Sequence, residues 1–221
     1  MKRKELLKLI EEGENLYCEF KLHFSSEEKI AKEMIAFANT KGGYLLMGVN
    51  DDKKIIGVQS EKGEAELIKI VAAKFCEPPI AYSLDYLNID EKEIVVVNVK
   101  ESKNKPHRLQ DYKKELDINK AEVYIRVNDK SILASKELIR LLKANTGATE
   151  LKKYSIGSNE KIVFDYLANN ETISVKQLSH LANLSDRRAS RTLVKMVRAG
   201  LLFIHTKENG EEFFTNAGNQ L

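Results

Sequence analysis

The sequence predicts an α/β (α+β) chain: a mixed β-sheet with flanking helices, followed by a small helical unit that ends in a hairpin. Three observations carry that expectation. Along the first two thirds, strand-like and helix-like segments interleave, yet several strand-like segments are consecutive, as a purely parallel sheet does not allow. A Gly-containing polar stretch, Thr146 to Ser158, then interrupts the pattern. Beyond it, three segments of helical period precede an Asn-Gly turn between two strand-like runs. At 221 residues the chain has room for one ordinary domain and one small one, so the expected division is 1–145, a linker over 146–158, and 159–221.

Lys4 to Glu12 places Leu6, Leu7, Leu9 and Ile10 on a short amphipathic helix that Gly13 ends. Leu16 to Leu22 reads as a strand in which Cys18 and Phe20 face one side and Tyr17, Glu19 and Lys21 the other. Ser25 or Ser26 caps a helix carrying Ile30, Met34, Ile35 and Phe37, with Glu27 and Glu28 at its positive end. After the turn cluster Asn39 to Gly43, the apolar run Tyr44 to Val49 is too short for a helix and fits a buried central strand. Glu61 to Phe75 is a further helix, stopped before Pro78-Pro79. Ala81 to Ile89, Glu93 to Lys100 and Glu122 to Val127 are strand-like, and Ser135 caps a helix to Ala144.

The composition, 43% apolar and 31% charged, is that of a soluble globular protein, and no apolar run is long enough to span a bilayer. The N-terminus lacks the uncharged apolar core of a secretory signal, so a cytoplasmic protein without membrane contact is expected. Cys18 and Cys76 form no C-x-x-C pair and read as buried small hydrophobes. The net charge of +3 is unevenly placed: residues 1–150 carry 26 bases and 26 acids, and residues 151–221 carry 10 and 7. What the excess means depends on where it lies on the surface.

In the last third, Glu160 to Ala168 is one helix, Ser174 caps a second, and Ser185 caps a third, Asp186 to Ala199, which Gly200 ends. Leu201 to Lys207 and Glu211 to Thr215 flank the Asn209-Gly210 turn of a hairpin. Three helices followed by a hairpin is the winged helix-turn-helix order. On the third helix, Arg187, Arg191, Lys195 and Arg198 fall within an arc of roughly 80°, with Arg188 at its edge and Ala189, Leu193, Met196 and Val197 opposite. Such a cationic ridge suits the major groove of duplex DNA, where Arg reads guanine edges and Lys or Arg meets phosphates. His205 and Lys207 are the hairpin residues placed to touch the backbone or minor groove.

In the N-terminal part, Glu14 precedes the first strand, Glu19 and Lys21 share one side of it, and Asp51 ends the buried strand. If those strands are neighbours, three carboxylates and a lysine share one sheet edge. Two or three oxygen ligands of this kind hold Mg²⁺ or Mn²⁺, and a lysine beside them stabilises charge in phosphodiester cleavage. The alternative is a salt network in which Glu14 caps a turn. A basic stretch, Lys100, Lys103, Lys105, Arg108, Lys113 and Lys114, surrounds Pro106-His107 in an expected loop that either guides phosphates or is merely solvated. Lys103, Lys105 and Arg108 are its candidate nucleic-acid contacts.

Gly13-Glu14, Glu19-Phe20-Lys21, Ala36 to Thr40, Gly42 to Asp51, Ile56-Gly57-Val58, Pro78-Pro79-Ile80, Lys105-Pro106-His107, and Tyr124 to Val127 followed by Ala134-Ser135 occur in an ordered series. Together they resemble the Schlafen-type AlbA-like domain, over about Leu6 to Leu142. Bacterial proteins of this type commonly join the domain to a C-terminal winged helix and are described as transcriptional regulators or DNA-binding proteins, sometimes with an ATP-binding label. Similar animal proteins include RNA endonucleases that use two Glu and an Asp. The resemblance therefore implies Glu14, Glu19 and Asp51 as the metal ligands of a nuclease alternative, with Lys21 beside them, although this chain carries one copy of the domain where the animal nucleases carry two. ATP binding gains little support, because no G-x-x-x-x-G-K-[ST] loop exists and Gly42-Gly43 precedes a strand. The leading expectation is a DNA-binding transcriptional regulator that needs no cofactor and acts on duplex DNA as a homodimer. A divalent-metal nuclease and an ATP-binding regulator are the alternatives.

Overall fold

The computed structural model of the chain describes residues 1–146 and 154–219. Their contacts divide into two units, Met1–Ala134 and Ser135–Leu221. Among the described residues no helix is long and apolar enough to cross a membrane.

The first unit runs α1 (Arg3–Glu12), β1 (Cys18–Lys21), α2 (Glu27–Asn39), β2 (Gly42–Met47), α3 (Glu61–Ile70) with a π-turn over Val71–Phe75, β3 (Cys76–Glu77), β4 (Tyr82–Ile89), β5 (Lys92–Lys100), β6 (Arg108–Leu109), β7 (Tyr124–Val127) and β8 (Lys130–Leu133). Four strands form a mixed sheet in the order β1-β2-β5-β4, parallel between β1 and β2 and antiparallel elsewhere. The parallel pair needs a crossover, which α2 supplies. Ser26 caps that helix, its hydroxyl accepting from the Lys29 amide at 3.4 Å.

Alternation along the strands explains why β2 is apolar throughout. Leu45, Met47, Val95, Val97 and Val99 pack with Ile30, Met34, Ile35 and Phe37 of α2 and Ile68 of α3. Leu46, Ile94 and Val96 join Cys18, Phe20 and the α1 residues Leu6 and Ile10 in a second core. Each sheet face therefore has its own helical cover, and a strand buried on both sides shows no polar alternation. Cys18 and Cys76 are both buried, which pushes their thiols up to about 12.

Gly42-Gly43 is a packing device. Gly42 has φ +75°, and a Cβ there would lie 2.7 Å from the Val99 carbonyl oxygen. A Cβ on Gly43 would lie 2.3 Å from the Phe37 ring and 2.7 Å from the Tyr17 carbonyl oxygen. Gly43→Ala is thus expected to destabilise the unit by ~1–3 kcal/mol through overpacking. Urea unfolding measures it, and an unchanged midpoint would show that α2 yields freely.

Of the short pairs β3-β6 and β7-β8, only β7 is expected from sequence, within Glu122 to Val127. Two-residue strands carry no periodicity, and β6 lies inside the expected basic loop. The polar Lys130–Leu133 becomes a strand because Asn128, at φ 55°, turns the chain back along β7.

The second unit comprises α4 (Lys136–Thr146), α5 (Ser158–Leu167), α6 (Val175–Leu181), α7 (Asp186–Arg198), β9 (Leu202–Thr206) and β10 (Glu212–Asn216). Ser174 and Gln177 cap α6 reciprocally, at 3.3 and 2.8 Å. Gly200, at φ +71°, ends the chain's turn out of α7, and β9 and β10 pair antiparallel. Ile173 bonds to Phe214 through both backbone groups, at 2.9 and 2.8 Å, tying the step before α6 to the hairpin. Val163, Leu167, Leu178, Leu193, Met196, Leu202 and Phe214 form the core.

The helix beginning at Ser135, expected from sequence at the end of the first domain, groups by its contacts with the second unit, as α4 against α7. The Arg140 guanidinium donates to the Ser190 hydroxyl at 2.8 Å, and Ser190 donates to Glu137. Of the expected linker 146–158, residues 147–153 lie outside the described residues.

Candidate functional site

On α7 the apolar and cationic sides separate as the helical period requires. Ala189, Leu193, Val194 and Met196 are buried, while Arg187, Arg188, Arg191 and Lys195 are exposed. Arg198 is half-buried and has interactions of its own. Ser190 and Val194, next to the ridge, are buried, and Ser190 bonds to Arg140 and Glu137 of α4, which packs on α7. That contact confines the open side of α7 to the cations themselves. On the hairpin, Lys207 is exposed, lies 3.3 Å from Glu211 and 5.9 Å from the Phe213 ring centroid. The His205 ring stacks on Phe213 at 5.0 Å and bonds to Thr215 at 2.8 Å, so it stiffens the hairpin.

In the first unit, β1 and β2 are neighbours, with Glu19 opposite Leu45 and Lys21 opposite Met47. Glu19, Lys21 and Asp51 all come within electrostatic reach of Glu14. Burial raises the Glu14 carboxyl above its ordinary range, the Phe20 amide opposes, Glu19 adds, Lys21 opposes and Asp51 adds. The Phe20 amide donates to Glu14 Oε1 at 2.8 Å, which makes Glu14 a turn cap at the start of β1.

Glu19 is held at both oxygens. Its Oε1 accepts from the Lys21 ammonium and its Oε2 lies 2.9 Å from Arg126 Nη1. Arg126 is wholly buried and organises the cluster: Nη1 also reaches Glu33 at 3.0 Å and Ser131 at 3.1 Å, and Nη2 donates to the Asn15 carbonyl at 2.8 Å. Its guanidinium lies 4.9 Å from the Phe37 ring centroid, and its Nε is buried without a partner. Burial and the Glu19 charge raise the Glu33 carboxyl, against the Ser131 bond and the charges of Lys21 and Arg126. Burial pulls the Lys21 ammonium down, but its bond to Glu19 and the surrounding carboxylates outweigh this and leave it raised.

Sequence reading missed Arg126, Glu33 and Ser131 as members of this cluster. One signal existed: a charged residue between Ile125 and Val127 in an apolar strand requires a buried partner. Nothing local identifies that partner, because Glu33 lies 93 residues away.

As arranged, the donors do not fit a divalent cation. Both Glu19 oxygens bond to cations and one Glu14 oxygen bonds to an amide, so a metal ion held by Glu19 would compete with Lys21 and Arg126. Among the described residues no group of three or more His, Cys, Asp or Glu is disposed to hold a metal ion. The cluster instead joins β1, α2, β7 and β8 through ion pairs and hydrogen bonds.

Within the basic stretch, His107, Arg108 and Lys105 are held in the fold, while Lys100, Lys113 and Lys114 are exposed. His107 is buried, bonding to the Pro78 carbonyl and the Ser102 hydroxyl at 2.7 Å each, and its imidazole is lowered by burial. Asn39 grips its backbone, accepting from the amide and donating to the carbonyl at 2.8 Å each. Arg108 must leave the set of nucleic-acid contacts: it is buried and directed to Asp111 at 3.3 Å and to the Lys113 carbonyl at 2.7 Å. Lys105 is 12% exposed and bonds to Glu101 at 2.7 Å and the Thr40 carbonyl at 3.1 Å. Lys103 is exposed.

Residues 14–135 match the family model described as Schlafen, AlbA_2. Among solved structures, the chain is similar to the DIP2311 protein of Corynebacterium diphtheriae, at 15% identity and TM-score 0.46, over 93% of this chain and 35% of that one. It therefore spans about a third of that protein's length. It is also similar to the N-terminal domain of a protein from Nitrosomonas europaea related to the ATP-dependent DNA helicase RecG, at 23% identity and TM-score 0.39, over 51% of this chain and 81% of that one. Matched by the family model over more than half its length, the chain belongs to the Schlafen, AlbA_2 family.

Proposed function

We propose that the chain is a nucleic-acid-binding protein, a transcriptional regulator whose C-terminal unit is a winged helix-turn-helix that lays α7 in the major groove of duplex DNA. The observation that carries this reading is the exposed ridge of Arg187, Arg188, Arg191 and Lys195 on a helix whose opposite side is core. Family membership supports a nucleic-acid-related role in general terms. The order of three helices and a hairpin supports the winged-helix assignment, with Lys207 on the wing. A two-fold homodimer would present two such ridges to paired half-sites.

Titrating duplex DNA against salt, with Arg187→Ala/Arg191→Ala beside the parent, tests the reading; unchanged affinity and unchanged salt dependence would refute it. The buried cluster supports a structural role over a nuclease centre. With tRNA, single-stranded DNA or duplex DNA, in Mn²⁺ or in EDTA, the full chain is expected to show no metal-dependent cleavage that Glu14→Gln/Glu19→Gln removes. Cleavage that needs Mn²⁺ and disappears in that double variant, with folding preserved, would make the protein an enzyme.

A further inference from the structure

The second unit contains a cavity of about 580 Å³, bounded by Ser135 and Glu137 before and in α4, Ser174 and Val175 at the start of α6, and Glu212 and Phe213 on β10. That volume lies in the range of small-molecule sites. Glu212 is its unusual feature: neither carboxylate oxygen is exposed or has a hydrogen-bond partner. A carboxylate stripped of water and left unpaired is costly, and a charge-assisted donor is what would offset that cost.

Two lysines, Lys176 and Lys207, also line the cavity, and both act on Glu211 instead of Glu212. Lys207 pairs with Glu211, Arg140 bonds to Glu137 and Ser190, and Lys176 is exposed with its charge acting on Glu211. Burial pushes the Glu212 carboxyl up to about 7; the neighbouring Ser135 hydroxyl opposes this without reaching hydrogen-bond geometry, and the Glu137 charge adds to it.

We infer that this cavity takes a small organic cation, a protonated amine or guanidinium on an apolar body, whose N–H groups bond to Glu212 while its apolar part lies against Val175 and Phe213. The apolar side chains of Val175 and Phe213, and the lack among the described residues of any group of three His, Cys, Asp or Glu disposed to hold a metal ion, favour an organic cation over a metal ion. Charge linkage gives the ligand a signature. A cation binds the ionised carboxylate, so just below neutral pH binding must expel the proton that Glu212 holds, and affinity rises as pH climbs through about 7.

Calorimetric titration of the full chain with benzylamine and with agmatine, and with benzyl alcohol as the neutral control, tests this slightly below neutral pH in two buffers of different ionisation enthalpy. At least one amine is expected to saturate one site and release a proton, and benzyl alcohol is not. Glu212→Gln should weaken binding at least ~10-fold and abolish the proton release. Val175→Phe, which adds bulk to the cavity wall and leaves Glu212 in place, should weaken it likewise. No saturation by either amine up to ~10 mM, or saturation that survives either variant, overturns the inference. Nucleic acid is absent from the titration, so this result and the test of α7 stand or fall separately.

Discussion

Arg126→Met is expected to destabilise the first unit by ~3–5 kcal/mol, because it removes the buried cation from two carboxylates that remain buried. Glu19 and Glu33 each lie within 3.0 Å of Nη1, and the side chain of Arg126 has no exposure at all. Methionine keeps much of the apolar volume against Phe37, so the loss reports on charge more than on packing. The pH dependence separates the two. Glu33 already has a raised carboxyl, so the native state binds its proton more readily than the unfolded chain does. A raised acid favours folding below its folded value and loses that contribution as pH rises. Without Arg126 the Glu33 carboxyl rises further, so the deficit relative to the parent should be largest at neutral pH and should shrink as pH falls toward the carboxylate range. Urea unfolding at neutral and mildly acidic pH measures this, and Glu33→Gln/Arg126→Met should recover part of the loss. A deficit that does not change with pH would mean that the cluster is not held by charge.

Arg187→Ala/Arg191→Ala is expected to reduce duplex affinity strongly while leaving folding intact. Both side chains are exposed, so the change in stability should stay within about 0.5 kcal/mol. Each lost phosphate contact should flatten the plot of log affinity against log salt by about one unit, and each lost contact to a base edge should cost ~1–3 kcal/mol and relax specificity at one position. The salt plot therefore distinguishes a positioning arginine from a reading one. Arg188→Ala, at the margin of the ridge, should lose less. Binding by fluorescence anisotropy across a salt series gives both quantities. If the parent binds no duplex above the level of the double variant at low salt, α7 is not the contact surface.

The two units differ in how far they could be read in advance. The helical period of α7 places Leu193 and Met196 inward and Arg187 and Arg191 outward from spacing alone, and burial agrees at those four, while Arg198, expected in the same ridge, is half-buried. The burial of Ser190 could not be read that way, because it depends on α4, some 50 residues earlier, returning to pack on that flank. In the first unit the alternation of β1 put Glu19 and Lys21 on one side, and their contact follows. The same alternation says nothing about Arg126, whose side chain arrives from β7, 107 residues away in the chain, to take the other Glu19 oxygen.

What the sequence determined by itself was therefore local: the helices and longer strands, the turn glycines, the buried cysteines, and the separation of charge from apolar surface on α7. Those properties depend on backbone periodicity and side-chain chemistry within a few turns, so neighbours in sequence suffice. Only the tertiary structure decided that Arg108 is buried, that His107 is a structural pin, that α4 belongs with α7, and that Glu19 meets two cations while Glu212 meets none. Whether a charge is solvated, paired or stranded depends on what folds over it, and that is settled by contacts between segments far apart in the chain.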